Sequence, residues 1–271
     1  MTKWVFLNGD FIEEEKASLH FRDLSIQRGY GAFDFFRLIG NEPLFSDDHL
    51  DRFYFSAQAM HLPVVFSREE LKSLISELVK KNNLPGTGVR LSITGGYSED
   101  GFSIARPNIL ISQHSFTPPT ESQRKTGIRL ISYPFQRQLS HIKSIDYLMA
   151  IWLQPLRLEK GADDILYHHN GIVSECPRNN FFLVTNAGKL VTPKENVLKG
   201  VTRKKIIQLA KESFVVEERA VSLTEIKTAK EAFITSTTKQ ILPVTKIDDH
   251  IFSSTETSRH LLQLFRQTYN T

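Results

Sequence analysis

Short apolar blocks separated by turn signals open the chain. Trp4 to Leu7 and Phe11-Ile12 flank Asn8-Gly9-Asp10, and Asn-Gly supplies the positive backbone angles of a tight turn, so this stretch predicts a hairpin. Ala32 to Ile39 is dense in phenylalanine, and Gly40-Asn41-Glu42-Pro43 breaks it before Leu44-Phe45, which predicts a second hairpin. The period then changes. Leu50, Phe53, Ala57 and Met60 recur at three- and four-residue spacing, predicting a helix over 47–60 with Ser46 as its cap. A second helix is expected over 68–81, capped by Ser67, and strands at Val89 to Thr94 and Asn108 to Ser112 surround a glycine-containing loop, 95–107.

Ser115 to Thr126 is polar and contains proline, as a linker would. Beyond it the pattern predicts a strand at 128–133, a helix over 147–158, and strands at 164–168, 181–185 and 189–191, with His168-His169-Asn170-Gly171 and Asn186-Ala187-Gly188 as turns. Helices over 202–212 and 223–229, a strand at 231–235 and a helix near 257–269 complete the reading. The implied architecture is α+β, with an N-terminal α+β domain (1–117), a linker (118–126) and a larger C-terminal domain (127–271) meeting at a cleft.

Composition narrows the function classes. Of 271 residues, 40% are hydrophobic and 24% charged, ordinary proportions for a globular protein, and the formal charge of +4 is small with its basic residues dispersed. That argues against nucleic acid and for small anionic molecules as partners. The single cysteine, Cys176, excludes an intrachain disulfide and any multi-cysteine metal site, so no metal is expected. The N-terminal stretch has no apolar core of signal-peptide length, and no run of about 18 apolar residues occurs, which gives the expectation of a soluble cytoplasmic protein without membrane partners.

Several residues could carry chemistry. Lys143 lies in His-Ile-Lys-Ser-Ile-Asp-Tyr-Leu (141–148), where Ile142, Ile145 and Leu148 would favour a neutral, nucleophilic amine, and Glu175 follows in Gly-Ile-Val-Ser-Glu-Cys (171–176). Lys199-Gly200-Val201-Thr202-Arg203 sets a glycine and a hydroxyl at the start of a predicted helix, which is either a plain cap or an anion site. Thr235-Ser236-Thr237-Thr238 is a hydroxyl cluster at a strand end, a turn or a second anion contact. Arg52, on the polar side of the Leu50-Phe53-Ala57 stripe, is a surface charge or a third phosphate ligand.

Taken in order, Arg28-Gly-Tyr-Gly-Ala-Phe33, His49-Leu-Asp-Arg52, Ile142-Lys143-Ser144, Val173-Ser-Glu175 with Asn179-Asn-Phe-Phe, Gly200-Val-Thr-Arg203 and Thr235-Ser-Thr-Thr238 with Pro243-Val cover essentially the whole chain. The set closely resembles the fold-type IV pyridoxal-phosphate aminotransferases, the class IV family of D-amino acid and branched-chain aminotransferases and aminodeoxychorismate lyase. The resemblance implies a two-domain α+β fold with a cofactor cleft, pyridoxal 5'-phosphate as cofactor, and a homodimer with its active site at the interface. It implies that Lys143 forms the Schiff base and moves the substrate proton, that Glu175 faces the pyridine nitrogen, and that Arg52, Val201, Thr202, Thr237 and Thr238 hold the phosphate. Tyr147, four residues beyond the lysine and near it if that stretch is helical, would reach the phenolic oxygen or else be a core aromatic.

Substrates would be an amino acid and a 2-oxo acid, whose carboxylates call for arginine. Arg28, Arg37 and Arg90 are the candidates, with Arg28 and Arg90 favoured. Arg90 alternates with Leu91 and Ile93 and so faces away from them. The tyrosine that branched-chain enzymes carry two positions before this arginine is Gly88 here, and the Arg-x-His pair of D-amino acid enzymes is reduced to Arg106-Pro-Asn108. Ile-Lys-Ser and Thr-Ser-Thr-Thr lean toward a D-amino acid transaminase, with a branched-chain L-amino acid aminotransferase or aminodeoxychorismate lyase as alternatives.

Overall fold

The computed structural model describes residues 3–271, and the chain divides into two compact units. One comprises residues up to Phe116 together with Ile142–Asp146, the other Thr117–His141 with Tyr147–Thr271.

In the first unit β1 (Trp4–Leu7) and β2 (Asp10–Glu13) form the hairpin expected at Asn8-Gly9, with both turn residues at positive φ, 57° and 136°. There follow α1 (Leu24–Arg28), β3 (Gly31–Ile39), β4 (Glu42–Pro43), α2 (Ser46–Ala59), α3 (Arg68–Asn82), β5 (Gly88–Thr94) and β6 (Ile109–His114). The strands pair in the order β2-β1-β6-β5-β3-β4, antiparallel throughout. Leu50, Phe53 and Ala57 of α2 and Leu71, Ile75 and Leu78 of α3 pack with Phe36, Val89, Leu91 and Ile111 of the sheet. Burying a side chain such as Phe36 or Phe53 contributes roughly 1.5–3 kcal/mol. Ser67 caps α3 reciprocally with Glu70, as expected. Ser46 does not cap α2. It is the first helical residue, preceded by Phe45 at φ 56°, and Asp47 and Asp48 supply negative charge to that first turn.

The second unit contains α4 (Glu121–Thr126), β7 (Ile128–Pro134), α5 (Leu148–Trp152), α6 (Gln154–Glu159), β8 (Asp164–His169), β9 (Ile172–Val173), β10 (Glu175–Cys176), β11 (Asn179–Val184), β12 (Leu190–Thr192), α7 (Val201–Ala210), β13 (Val216–Glu218), β14 (Val221–Ser222), α8 (Leu223–Ile226), β15 (Glu231–Ser236), β16 (Gln240–Ile247), β17 (His250–Ile251) and α9 (Glu256–Tyr269). Its sheet runs β13-β12-β11-β15-β16-β7-β8-β9-β14, with β10 paired to β11 and β17 to β16. The central contacts of β7 with β8 and β16 are parallel. Phe181, Leu183, Ala232, Ile234, Leu242 and Val244 alternate into one core face.

Two expectations change here. The polar stretch read as a linker carries α4, because Thr120 and Gln123 cap it reciprocally and Arg124 is buried. The single helix expected over 147–158 is two, α5 and α6, broken at Leu153 where Pro155 follows in the first turn of the second. Among the described residues no helix is long and apolar enough to cross a membrane.

Candidate active site

Lys143 is held by main-chain bonds to the first unit. The Phe33 amide donates to the Lys143 carbonyl (3.0 Å), the Ile145 amide to the Gly31 carbonyl (3.0 Å), and the Lys143 amide to Ser56 Oγ on α2 (3.2 Å). Residues 142–146 therefore lie as an irregular strap beside the start of β3, where Ala32 bridges Ser144. Gly31 permits the approach, since a Cβ there would fall 2.6 Å from the Ile93 carbonyl oxygen and 3.1 Å from Ile145. The stretch from Lys143 to Tyr147 is not helical, so the two residues do not share a helical turn. The apolar enclosure also differs. Ile142 is in the core, but Leu148 is 73% exposed, and the Phe33 ring lies against the amine, its centroid 4.5 Å from Nζ.

The guanidinium of Arg90, on β5 opposite Phe35, stacks over the same Phe33 ring at 4.0 Å. Its Nε donates to Ser92 Oγ (3.1 Å), so Arg90 and Ser92 share a face as their alternation with Leu91 and Ile93 predicts. Next to Phe33 in sequence, Asp34 is fully buried; Oδ1 accepts from Arg52 Nη2 (2.8 Å) and contacts His49 Nδ1 (2.7 Å), while Oδ2 accepts from Arg52 Nε (2.8 Å). Burial alone would raise the Asp34 carboxyl, but the charges and hydrogen bonds of Arg52 and His49 outweigh it and hold the group well below the usual carboxylate range. Burial pushes the His49 imidazole down, Asp34 opposes, and Arg52 and Lys143 add to the lowering. Arg52, read from sequence as a phosphate ligand, thus turns Nε and Nη2 to Asp34. Arg28 is the last residue of α1, with Nη1 donating to the Gln27 carbonyl (2.9 Å), and Arg37 stacks on Phe116 at 5.9 Å.

The second unit gathers the other candidates. Glu175 on β10 is 4% exposed; Oε1 accepts from Arg137 Nη1 (2.8 Å), and Oε2 from the Leu198 amide (2.9 Å) and Asn180 Nδ2 (3.5 Å). A buried carboxylate with this donor set is fixed in orientation and compensated for its lost water. Asn180 Nδ2 also donates to the Leu198 carbonyl (2.7 Å), tying the approach to α7 to β11. At the N-terminus of α7, Gly200 has no side chain to accept from the amides of Val201 and Thr202, both buried. A Cβ at Gly200 would fall 2.1 Å from Asn180 Oδ1. Thr235, paired with Asn180 across β11 and β15, has a buried hydroxyl without a protein hydrogen-bond partner. Thr237 and Thr238 are half-buried in the turn that follows. Arg203 faces elsewhere, its Nη2 donating to the Pro193 carbonyl and Glu218 (both 2.9 Å).

The motifs above contain Phe33 and Asn180 but assign them no role, and Asp34 and Arg137 are not singled out by the sequence reading. Asp34 had a signal, as the lone charge within the apolar run Ala32 to Phe36. Arg137 had none, since only the fold brings it to Glu175. Burial raises the Cys176 thiol well above its usual range, consistent with a packing role. Among the described residues no group of His, Cys, Asp and Glu is arranged to hold a metal ion.

Comparison with known proteins gives the geometry a family. The model for amino-transferase class IV matches residues 31–247. The chain is 31% identical over 254 residues to a D-alanine aminotransferase of Listeria monocytogenes, covering 90% of this chain and 87% of that protein. It is 30% identical over 262 residues to a provisionally assigned branched-chain-amino-acid aminotransferase of Methanocaldococcus jannaschii, covering 92% and 90%. The fold matches the solved branched-chain amino acid aminotransferase of Escherichia coli at a TM-score of 0.90 and 23% identity, over 99% of this chain and 95% of that one. The chain belongs to the class IV aminotransferases, a family that works with pyridoxal 5'-phosphate.

Proposed function

We propose that this protein is a transaminase that moves an amino group between a D-amino acid and a 2-oxo acid. The observation that carries the reading is the common Phe33 ring under Lys143 and Arg90, which sets a nucleophilic amine close to a guanidinium suited to a carboxylate. The residues fit pyridoxal phosphate on their own chemistry. Uncapped amides of Val201 and Thr202 at the start of α7 and the orphaned Thr235 hydroxyl suit an anion, and an anchored Glu175 suits a protonated ring nitrogen.

Bound pyridoxal phosphate supplies a carbonyl carbon for the amino group and a protonated ring that accepts the electron pair left when the substrate Cα–H bond breaks. Lys143 Nζ would be the nucleophile that holds the cofactor's carbonyl carbon and the base that takes the proton from the substrate Cα. Glu175 holds a proton at the ring nitrogen, and Arg137 and the Leu198 amide fix the carboxylate for that task. Val201, Thr202, Thr237 and Thr238 orient the phosphate. Arg52 offers Nη1 for its charge, since Nε and Nη2 face Asp34, and Tyr147 donates to the phenolic oxygen. Arg90 and Arg28 bind the substrate carboxylate. A homodimer is proposed too, supported by apolar side chains left exposed: Phe21, Ile26 and Phe102 in one unit, Leu148, Ile151 and Trp152 in the other.

The D-preference is supported by Ile142-Lys143-Ser144 and by D-alanine aminotransferases at about 30% identity. The Methanocaldococcus relative supports a second reading, a branched-chain L-amino acid aminotransferase. A half-reaction separates them. D-alanine, D-glutamate, L-leucine and L-glutamate are added singly to holoenzyme while the cofactor absorption band is followed. Bleaching by the D-acids alone is expected; bleaching by L-leucine and L-glutamate would overturn the D-reading in favour of the second.

A further inference from the structure

The turn that carries Thr237 and Thr238 is closed by a residue in an unfavourable backbone conformation. Gln240 is buried at φ 61° and pairs with Ser236 across a three-residue loop, a position where the left-handed backbone normally selects glycine. Its side chain is engaged at both ends: Nε2 donates to Thr271 Oγ1 (2.9 Å), just beyond α9, and Oε1 accepts from Arg266 Nε of α9 (3.2 Å). The backbone on either side is held as well. Buried Arg124 on α4 points Nη1 at the Lys239 and Ile241 carbonyls (3.3 and 3.4 Å), while the Lys239 amide donates to Ser236 Oγ (3.3 Å) and Lys239 Nζ reaches Asp164 (3.3 Å). Three elements of the second unit, α4, β8 and α9, thus converge on one short turn. Its conformation is fixed by side-chain bonds in addition to the strand ladder.

We propose that Gln240 is a positioning residue that holds Thr237 and Thr238 in the arrangement that receives the cofactor phosphate, so that Arg266 and Thr271 govern phosphate affinity without touching the cofactor. This rests on the cofactor reading above. Glycine at 240 would keep the left-handed backbone at no steric cost, so what glutamine adds there is what its side chain reaches.

The same logic supplies the test. Gln240→Gly leaves the turn type intact and deletes the clamp. The full chain, stripped of cofactor, is titrated with pyridoxal 5'-phosphate and separately with pyridoxal, which lacks the phosphate, and thermal unfolding of the cofactor-free protein is recorded beside them. The expected result is a dissociation constant about ten-fold higher for pyridoxal phosphate, the scale of two lost hydrogen bonds, with pyridoxal affinity within two-fold of wild type. Equal weakening of both ligands, or none, would overturn the proposal. Thr271→Val removes one acceptor only; an increase of about two- to three-fold for pyridoxal phosphate alone is expected, and an unchanged constant counts against the clamp even if Gln240→Gly does not fold. Wild-type protein that takes up no pyridoxal phosphate would overturn the cofactor reading itself, whereas wild-type uptake with variants of unchanged pyridoxal phosphate affinity overturns only the role of Gln240.

Discussion

The ammonium nitrogen of Lys143 lies 4.5 Å from the centroid of the Phe33 ring, and the Arg90 guanidinium carbon lies 4.0 Å from the same centroid. One aromatic ring thereby contacts both basic side chains. A cation over an aromatic ring gains about 0.5–2 kcal/mol depending on desolvation. Phe33→Leu keeps apolar bulk and removes the π face. The expected outcome is a KM for amino donors raised about five-fold, through Arg90, and a slower capture of cofactor by Lys143, on the same scale of about 1 kcal/mol. Steady-state kinetics and the rise of the cofactor band after mixing read the two effects, and an unchanged variant would remove Phe33 from the site.

Lys143→Ala separates covalent from noncovalent binding. Borohydride reduction of the wild-type holoenzyme should add the mass of reduced pyridoxyl phosphate to the peptide containing Lys143, and the variant should show no such adduct. Turnover should fall by at least about a thousand-fold, because both the attacking amine and the proton carrier are lost. An adduct on another lysine would refute the assignment.

How much of this was readable beforehand differs between the two units. The hairpin at Asn8-Gly9, the capped helix after Ser67 and the face shared by Arg90 and Ser92 follow from local periods and turn chemistry, and they stand in the structure. Nothing local said that residues 142–146 would strap onto β3, because the cause is remote: a glycine at 31 that leaves room and a serine at 56 that accepts the Lys143 amide. The helix expected through Tyr147 had the right apolar content, but Pro155 breaks it and the strap precedes it. Glu175 stands out in the sequence as a candidate, whereas Arg137 and the Leu198 amide, which fix its carboxylate, are distant in sequence and joined only by folding.

Arg90→Ala tests substrate binding independently of the cofactor. Losing a charged hydrogen-bond donor to a carboxylate costs about 1.5–3 kcal/mol, so KM for amino donors should rise about ten- to hundred-fold while the absorption of the bound cofactor stays as in wild type. Arg28→Ala is expected to act in the same direction. Intact turnover in the double variant would leave the carboxylate to another group.

Gly200→Ala places a methyl where Asn180 Oδ1 stands, at 2.1 Å. Because Asn180 also ties the Leu198 carbonyl to β11, it cannot swing away without losing that bond. Forcing an atom into such a packed site costs about 1–3 kcal/mol, measurable as a lower unfolding midpoint of the cofactor-free protein. In an Asn180→Ala background the added cost of Gly200→Ala should shrink by at least about half, the coupling expected of touching groups. Additive effects would mean that the close approach is not what excludes a side chain at Gly200.

Stability should depend on pH through buried Asp34 and His49 and their partner Arg52. Burial first, then Arg52 and Lys143, keep the folded-state pKa of His49 below its ordinary value of 6.5, despite Asp34. A depressed histidine pKa means that, between the folded and unfolded values, the unfolded chain binds more protons; stability is therefore full above about 6.5 and declines as pH falls through the folded pKa. Asp34 acts in the same direction at lower pH: with its folded pKa depressed, its contribution is present above the unfolded value near 3.8 and is lost on further acidification. The midpoint of denaturant unfolding should hence be level from pH 8 to 7 and fall from pH 6.5 to 5. His49→Gln, which retains a donor toward Asp34 but cannot titrate, should start from a lower midpoint and flatten that fall, since the group that gains the proton on unfolding is gone. A variant whose slope between pH 6.5 and 5 matches wild type would assign the decline to other groups.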